Sequence, residues 1–238
     1  HPETLKGKDA LKLARKLSGL AVAGGERSVV LPSTVRISAI LNEDPLNIDT
    51  ILSNWRKNTH DSDQMLLPVG QYVDRSGLST YEIDFRPETL GGKGAYHAMM
   101  IGTTGSGKSI FMQSMVLAAA HRYSPRQINF LFMDFKAGAA ELKKVSDLPH
   151  SVGMITDLSP ALAERALQAL ENELSRRKII FDSAGKISDI WEYNRRFPNE
   201  AMPHLLVVID EFAEGINILP NLVDRLRELG RQGRAFGM

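Results

Sequence analysis

The sequence predicts an α/β fold in which a central, mostly parallel sheet is flanked by helices. Three stretches predict it. Ala98-Met99-Met100-Ile101 is a short apolar run of the kind a buried strand needs. It leads into Gly102-Thr103-Thr104-Gly105-Ser106-Gly107-Lys108-Ser109 and then into a helical pattern to His121, with Phe111, Met115, Leu117 and Ala118 near helical spacing. Ile128-Asn129-Phe130-Leu131-Phe132-Met133-Asp134 is a second apolar run, and Leu205-Leu206-Val207-Val208-Ile209 is a third, ending in Asp210-Glu211. Continuous rather than alternating apolar runs are what strands covered by helices on both faces require.

The 238 residues suffice for one substantial core and a small extra module. A net charge of +1 gives no global pull toward nucleic acid or acidic lipid, although a local patch would suffice for either. The absence of cysteine excludes disulfides, thiolate catalysis and cysteine-based zinc sites. No run of about 18 apolar residues is present, so no helical membrane span is expected. The chain opens on His1 and closes on Gly237-Met238 without a terminating feature, and it reads as a fragment of something longer.

Taken in order, Lys8 to Leu20 reads as an amphipathic helix with Leu11, Ala14 and Leu17 on one face. Val35 to Leu41 holds a short strand or a turn of helix. Asn47 to Trp55 predicts a short helix, with Trp55 as a packing anchor. The polar stretch Asn58 to Gln64 is the expected boundary. Residues 1–64 form an N-terminal extension or linker from a preceding domain, and 65–238 form the main domain, truncated at its C-terminus.

Met65 to Phe85 predicts a β-hairpin turning at Asp74-Arg75-Ser76-Gly77. Gly91-Gly92-Lys93-Gly94 is a loop, and His97 beside it is expected to be structural. Leu148 to Ile155 gives another short strand. Ser159-Pro160 marks a helix start, running to about Phe181 on a stripe of Leu162, Ala166, Leu167, Leu170 and Leu174. Arg176-Arg177-Lys178 near its end is expected to complement the helix C-terminus. Ser188 to Arg196 predicts a shorter helix closed by Pro198.

The segment Gly102 to Ser109 fits G-x-x-x-x-G-K-[ST], the phosphate-binding P-loop. Its glycines let successive backbone N–H groups converge on phosphate oxygens, and the following helix N-terminus adds partial positive charge. The expected nucleotide-binding set is therefore Gly102, Thr103, Thr104, Gly105, Ser106, Gly107, Lys108, Ser109 and Ile110. Lys108 is expected to reach the β- and γ-phosphates of ATP, and the Ser109 hydroxyl to ligate Mg²⁺. The third apolar run arrives with Asp210 at the same sheet edge and reads as a central strand. Asp210 is expected to hold Mg²⁺ and Glu211 to orient and polarise the attacking water. Asp134 also falls at a strand's carboxyl end, where parallel sheets place ligand sites. A strand between the two motifs, with a glutamate next to the aspartate, indicates the RecA-like branch of P-loop NTPases.

These residues resemble the FtsK/SpoIIIE class of motor ATPases. The run from His97 through the P-loop, Leu148-Pro149-His150 through Thr156-Asp157, and Glu173-Leu174-Ser175-Arg176-Arg177 match its pattern. Within that class the chain is similar to the ATPase domains of type VII secretion proteins (EccC and EssC). Phe132-Met133-Asp134-Phe135-Lys136-Ala137-Gly138-Ala139, Asp210 to Glu214, Gly230 to Arg234 and, upstream, Ala14 to Ser18 carry that similarity. Position 137 departs from the family's usual glycine. The resemblance implies a homo-oligomer, hexameric when active, with nucleotide sites between subunits. It also implies an arginine supplied by a neighbour, with Arg165 the first candidate and Arg234 the second. It further implies a strand past Gly237, and a cytoplasmic location at the inner membrane. Membrane subunits of a secretion system and small helical effector proteins are the implied partners. Two rivals stand beside a protein-export motor: a double-stranded DNA translocase with the same chemistry, and a nucleotide-binding assembly module with little turnover.

Overall fold

Three parallel strands and the helices on their two faces position everything that follows. The computed structural model describes residues 31–59, 65–74, 77–94, 96–103, 105–135, 141–156 and 159–238. The helix expected over Lys8 to Leu20 lies outside the described residues, as do the similar stretch Ala14 to Ser18, Arg75-Ser76, Thr104, residues 136–139 and Asp157. Helices α1 (Ile37–Leu41) and α2 (Ile48–Thr59) precede a hairpin of β1 (Leu66–Asp74) and β2 (Gly77–Asp84). Then follow α3 (Lys108–Arg122), β3 (Ile128–Asp134), α4 (Lys143–Ser146), β4 (Ser151–Ile155), α5 (Pro160–Ser183), α6 (Ile190–Arg196), β5 (His204–Asp210), α7 (Phe212–Ile218) and α8 (Leu222–Gly233).

The main sheet has the order β4-β3-β5, all parallel. Strand β3 is apolar on both faces because both are covered. Phe130 and Phe132 join Met112 and Val116 of α3 on one side. Met133 joins Leu167 and Leu170 of α5 and Leu222 of α8 on the other. This corrects the expectation that the Leu205–Ile209 run is the central strand, since β3 is central among the described residues. Among the described residues no strand pairs with the second edge of β5, where the Gly237 carbonyl of the chain's last turn accepts from the Leu205 N–H at 2.7 Å.

A second correction follows from that open edge. Ala98-Met99-Met100-Ile101 is not a strand, and Met99 and Ile101 are 77% and 88% exposed. Strand geometry needs a neighbour to take its backbone hydrogen bonds, and no described segment offers this run a ladder.

The hairpin forms as expected, with Leu66 opposite Asp84 and Asp74 opposite Gly77. The Tyr123 hydroxyl just after α3 accepts from the Leu66 N–H and donates to the Leu66 carbonyl, at 2.9 and 3.1 Å. The last carbonyls of a helix have no intrahelical donor. Here α2 supplies donors: Trp55 Nε1 to the Ala120 carbonyl at 2.9 Å and Asn58 Nδ2 to that of Arg122 at 2.7 Å. Trp55 is thus the anchor the sequence predicts, and it also meets the His150 ring edge-on.

Helix α5 runs two residues past the expected Phe181, so Arg176-Arg177-Lys178 lie inside it rather than capping its end. Both arginines bind Glu173, and Arg177 is 3% exposed. Arg177 donates to the carbonyls of Phe236 at 2.7 Å and Pro203 at 3.0 Å. The run therefore staples α5 to the C-terminal turn and to the entrance of β5. The paired guanidinium groups hold the Glu173 carboxyl down to about 2.

Candidate active site

The glycine-rich loop delivers its lysine and serine into the first turn of α3. Gly107 caps the helix at φ +93°, a backbone region that side-chain-bearing residues rarely adopt, so glycine is required there. The turn is closed by the Ser106 N–H donating to the Thr103 carbonyl at 3.1 Å. The N–H groups of a helix's first turn lack intrahelical acceptors, and this end suits an anion. Lys108 Nζ donates to the loop's own carbonyls, Gly102 at 2.7 Å and Thr103 at 3.2 Å. Its ammonium is thereby held inside the loop's curve. Gly102, Thr103, Gly105, Ser106 and Ile110 are exposed, leaving the loop open to a ligand.

Strand β5 brings the second motif to this helix end. Asp210 is buried, its Oδ2 accepting from the Ser109 hydroxyl at 3.0 Å and its Oδ1 from the Glu211 N–H at 2.9 Å. Glu211 sits in the left-handed region, φ 53° and ψ 51°, between the end of β5 and the start of α7. That conformation costs a non-glycine residue about 1–3 kcal/mol and clusters at functional positions. The turn exposes the Glu211 side chain while Asp210 stays buried, so two adjacent carboxylates occupy different environments.

Among the described residues neither candidate arginine forms an ion pair with Asp210 or Glu211. Arg165, in the second turn of α5, is exposed and makes no ion pair with another described residue. Arg234 is placed over the Tyr96 ring at 5.4 Å. His97 bonds the Gly230 carbonyl of α8 at 3.1 Å, the structural role expected of it. Asp134, which the sequence places at a strand's carboxyl end, lies beside Asp210 as its in-register partner on β3. The signal was present, since both strands are apolar runs that end in aspartate at the same sheet edge.

Ser109 and Asp210 offer a hydroxyl and a carboxylate, hard oxygen donors. Mg²⁺ is characteristically held by one or two such groups together with substrate phosphates, not by a protein cage. Among the described residues no three His, Asp or Glu side chains gather into such a cage. The residues present fit a phosphate-borne Mg²⁺.

The FtsK/SpoIIIE family model matches residues 52–237. The chain belongs to the FtsK/SpoIIIE family. It carries the P-loop motif and the RecA-like α/β fold of that family. The ESX-5 secretion system protein EccC5 of Mycobacterium tuberculosis is 39% identical over 206 residues, covering 82% of this chain and 14% of that protein. The ESX-4 secretion system protein EccC4 of the same organism is 32% identical over 247 residues, covering all of this chain and 19% of that protein. Among solved structures, the cytoplasmic domain of the Thermomonospora curvata type VII secretion ATPase EccC superposes with a TM-score of 0.74 at 30% identity, covering 87% of this chain and 24% of that one. The chain thus spans less than a fifth of the length of these curated relatives. No helix among the described residues is long and apolar enough to cross a membrane.

Proposed function

We propose that this FtsK/SpoIIIE domain hydrolyses ATP to drive protein export through a type VII, ESX-like secretion system. The observation that carries the reading is the Ser109–Asp210 hydrogen bond, which joins the P-loop helix to the strand end that bears Glu211. The backbone of Gly102 to Gly107 binds the phosphates, and Lys108 turns from its loop carbonyls to the β- and γ-phosphate oxygens. Mg²⁺, held by Ser109 and reached through water by Asp210, would neutralise charge on those oxygens. Glu211 orients the water for in-line attack on the γ-phosphorus and accepts its proton. Arg165 of a neighbouring copy stabilises the charge that develops on the phosphoryl group. Its exposure, free of the ion pairs that hold Arg176, Arg177 and Arg225, supports that role.

The motor is a homo-oligomer, hexameric when active. It belongs to a membrane-associated protein, with this domain in the cytoplasm and small helical effector proteins as cargo. The secretion proteins named among its relatives support export over DNA translocation, and the net charge of +1 agrees. The test is phosphate release titrated with duplex DNA and with helical effector protein. Stimulation by effector, with indifference to DNA, is the expected result. Stimulation by DNA that weakens with salt would replace this reading with a DNA motor.

A further inference from the structure

His97 stands just ahead of the P-loop, and its imidazole reaches a residue 133 positions away: Nε2 lies 3.1 Å from the Gly230 carbonyl of α8. A carbonyl oxygen only accepts, so Nε2 carries the proton and donates. The helix is shaped for the ring at this point. A Cβ on Gly230 would stand 3.0 Å from His97 Nε2 and 3.3 Å from Cε1, tighter than ordinary contact. The missing side chain at position 230 therefore admits the imidazole. Just past the end of α8, the Arg234 guanidinium lies over the Tyr96 ring at 5.4 Å, a cation–π distance. Two consecutive residues, Tyr96 and His97, are thus seated on one helix end.

Residues 98–101 run from this seat to Gly102, and among the described residues they have no strand partner. A segment without a ladder takes its course from what holds its two ends. At the loop end, Lys108 Nζ draws in the Gly102 and Thr103 carbonyls at 2.7 and 3.2 Å. Those bonds are released when Lys108 turns to phosphate oxygens. At the other end, His97 and Tyr96 rest on a helix that is itself well fixed. Leu222 and Leu229 of α8 are buried, and Arg225 pairs with Glu164 and Glu171 of α5. Once a nucleotide has taken the lysine, the contacts of Tyr96 and His97 with this helix end are the ones that still fix the incoming arm.

We propose that His97 is a positioning residue of the nucleotide site: its bond to the Gly230 carbonyl fixes the arm from which the P-loop hangs. The inference rests on the ATPase reading above. His97 does not touch the phosphates; it acts through the backbone between itself and Gly102. A loop ordered before its ligand arrives binds more tightly, because the ordering entropy is lost on folding and not on binding. One hydrogen bond of ordinary net strength corresponds to about three- to tenfold in affinity.

The test compares nucleotide binding with stability in His97→Ala, His97→Gln and Gly230→Ala. Glutamine keeps an N–H donor at the end of its side chain, and alanine does not. Gly230→Ala disturbs the same contact from the helix side. Affinity is read by equilibrium binding of a fluorescent ATP analogue with Mg²⁺, and KM and kcat by steady-state phosphate release. His97→Ala and Gly230→Ala are each expected to weaken binding about three- to tenfold, and to raise KM by more than they lower kcat. The two together are expected to weaken it no further than the stronger one alone, and His97→Gln to recover most of the loss. Unchanged affinity in His97→Ala, beside tight binding by the unsubstituted protein, overturns the inference and spares the ATPase reading. A lowered melting temperature with affinity intact makes His97 a structural residue, as does failure of both His97 variants to fold, and either overturns it too. Equal losses in His97→Ala and His97→Gln, or additive losses in the double variant, do the same. If Lys108→Ala binds the analogue as well as the unsubstituted protein does, the ATPase reading itself fails, and the inference falls with it.

Discussion

The hydroxyl of Ser109 donates to Oδ2 of Asp210 at 3.0 Å, joining residues 101 positions apart in the chain. That bond brings the P-loop and the Asp210-Glu211 pair to one place. A hydrogen bond to a charged acceptor contributes about 1.5–3 kcal/mol, and Asp210 is too buried to replace it with bulk water. Ser109→Ala is expected to lower the unfolding free energy by an amount near the bottom of that range and to abolish the gain in thermal stability that Mg²⁺ adds to ATP. Urea titration and thermal melts with and without Mg²⁺ check both halves. Undiminished metal-dependent stabilisation would break the link between this bond and the cation.

Arg177 is the buried staple between α5 and the chain's end. Replacing it with methionine leaves the Phe236 and Pro203 carbonyls without their donor, while Glu173 keeps Arg176. Removing one member of a buried charged pair costs about 3–5 kcal/mol, and the surviving Arg176 contact places the expected loss at the lower end. A urea titration showing almost no loss would mean that the C-terminal turn is held by other contacts.

Acid stability has a defined shape. His204 is half-buried against Trp191 with its Nε2 withdrawn from solvent, and burial together with the Arg177 charge pushes its pKa down from 6.5 to about 3. The unfolded chain therefore binds this proton near pH 6.5, whereas the folded chain resists it to about pH 3. Stability is full above 6.5 and falls as pH drops, by about 1.4 kcal/mol per unit for one proton, until the folded group also titrates. Burial depresses His150 in the same direction. Glu173 adds a second loss lower down, between its ordinary 4.5 and about 2. His204→Gln is expected to flatten the slope between pH 6 and 4. Urea midpoints across that window that fall equally steeply in both proteins would contradict the assignment.

Gly215 lies where α7 crosses the end of β3. A Cβ there would sit 2.7 Å from the Phe135 ring and 2.9 Å from Leu222 Cδ2, both fully buried. Alanine gains about 1 kcal/mol of helix propensity over glycine, but overpacking of a filled core costs about 1–3 kcal/mol. The steric term is expected to win, lowering the melting temperature of Gly215→Ala. A raised melting temperature would mean that α7 shifts freely over Phe135.

Much of this site was legible because its chemistry is local in sequence. The P-loop residues, the Asp210-Glu211 pair and the helix after Ser159-Pro160 each follow from a short pattern. Sheet position does not. The apolar runs at Ala98–Ile101 and Leu205–Ile209 look alike on paper, yet one is an exposed irregular segment and the other a strand, because pairing depends on a neighbour that no local pattern specifies. The Arg176-Arg177-Lys178 run misled for a similar reason: its meaning depends on Phe236 and Pro203, which only tertiary structure brings to it. Asp134 shows the intermediate case, a residue whose place was readable but whose partner required the register.

The most direct test of the site is single-turnover hydrolysis of ATP by the unsubstituted protein and by Glu211→Gln. The glutamine keeps the shape of the side chain but cannot accept the water's proton. The expected result is unchanged ATP and Mg²⁺ binding with phosphate release reduced at least a hundredfold. Phosphate release at the unsubstituted rate would contradict the assignment of Glu211 and move the reaction's base elsewhere.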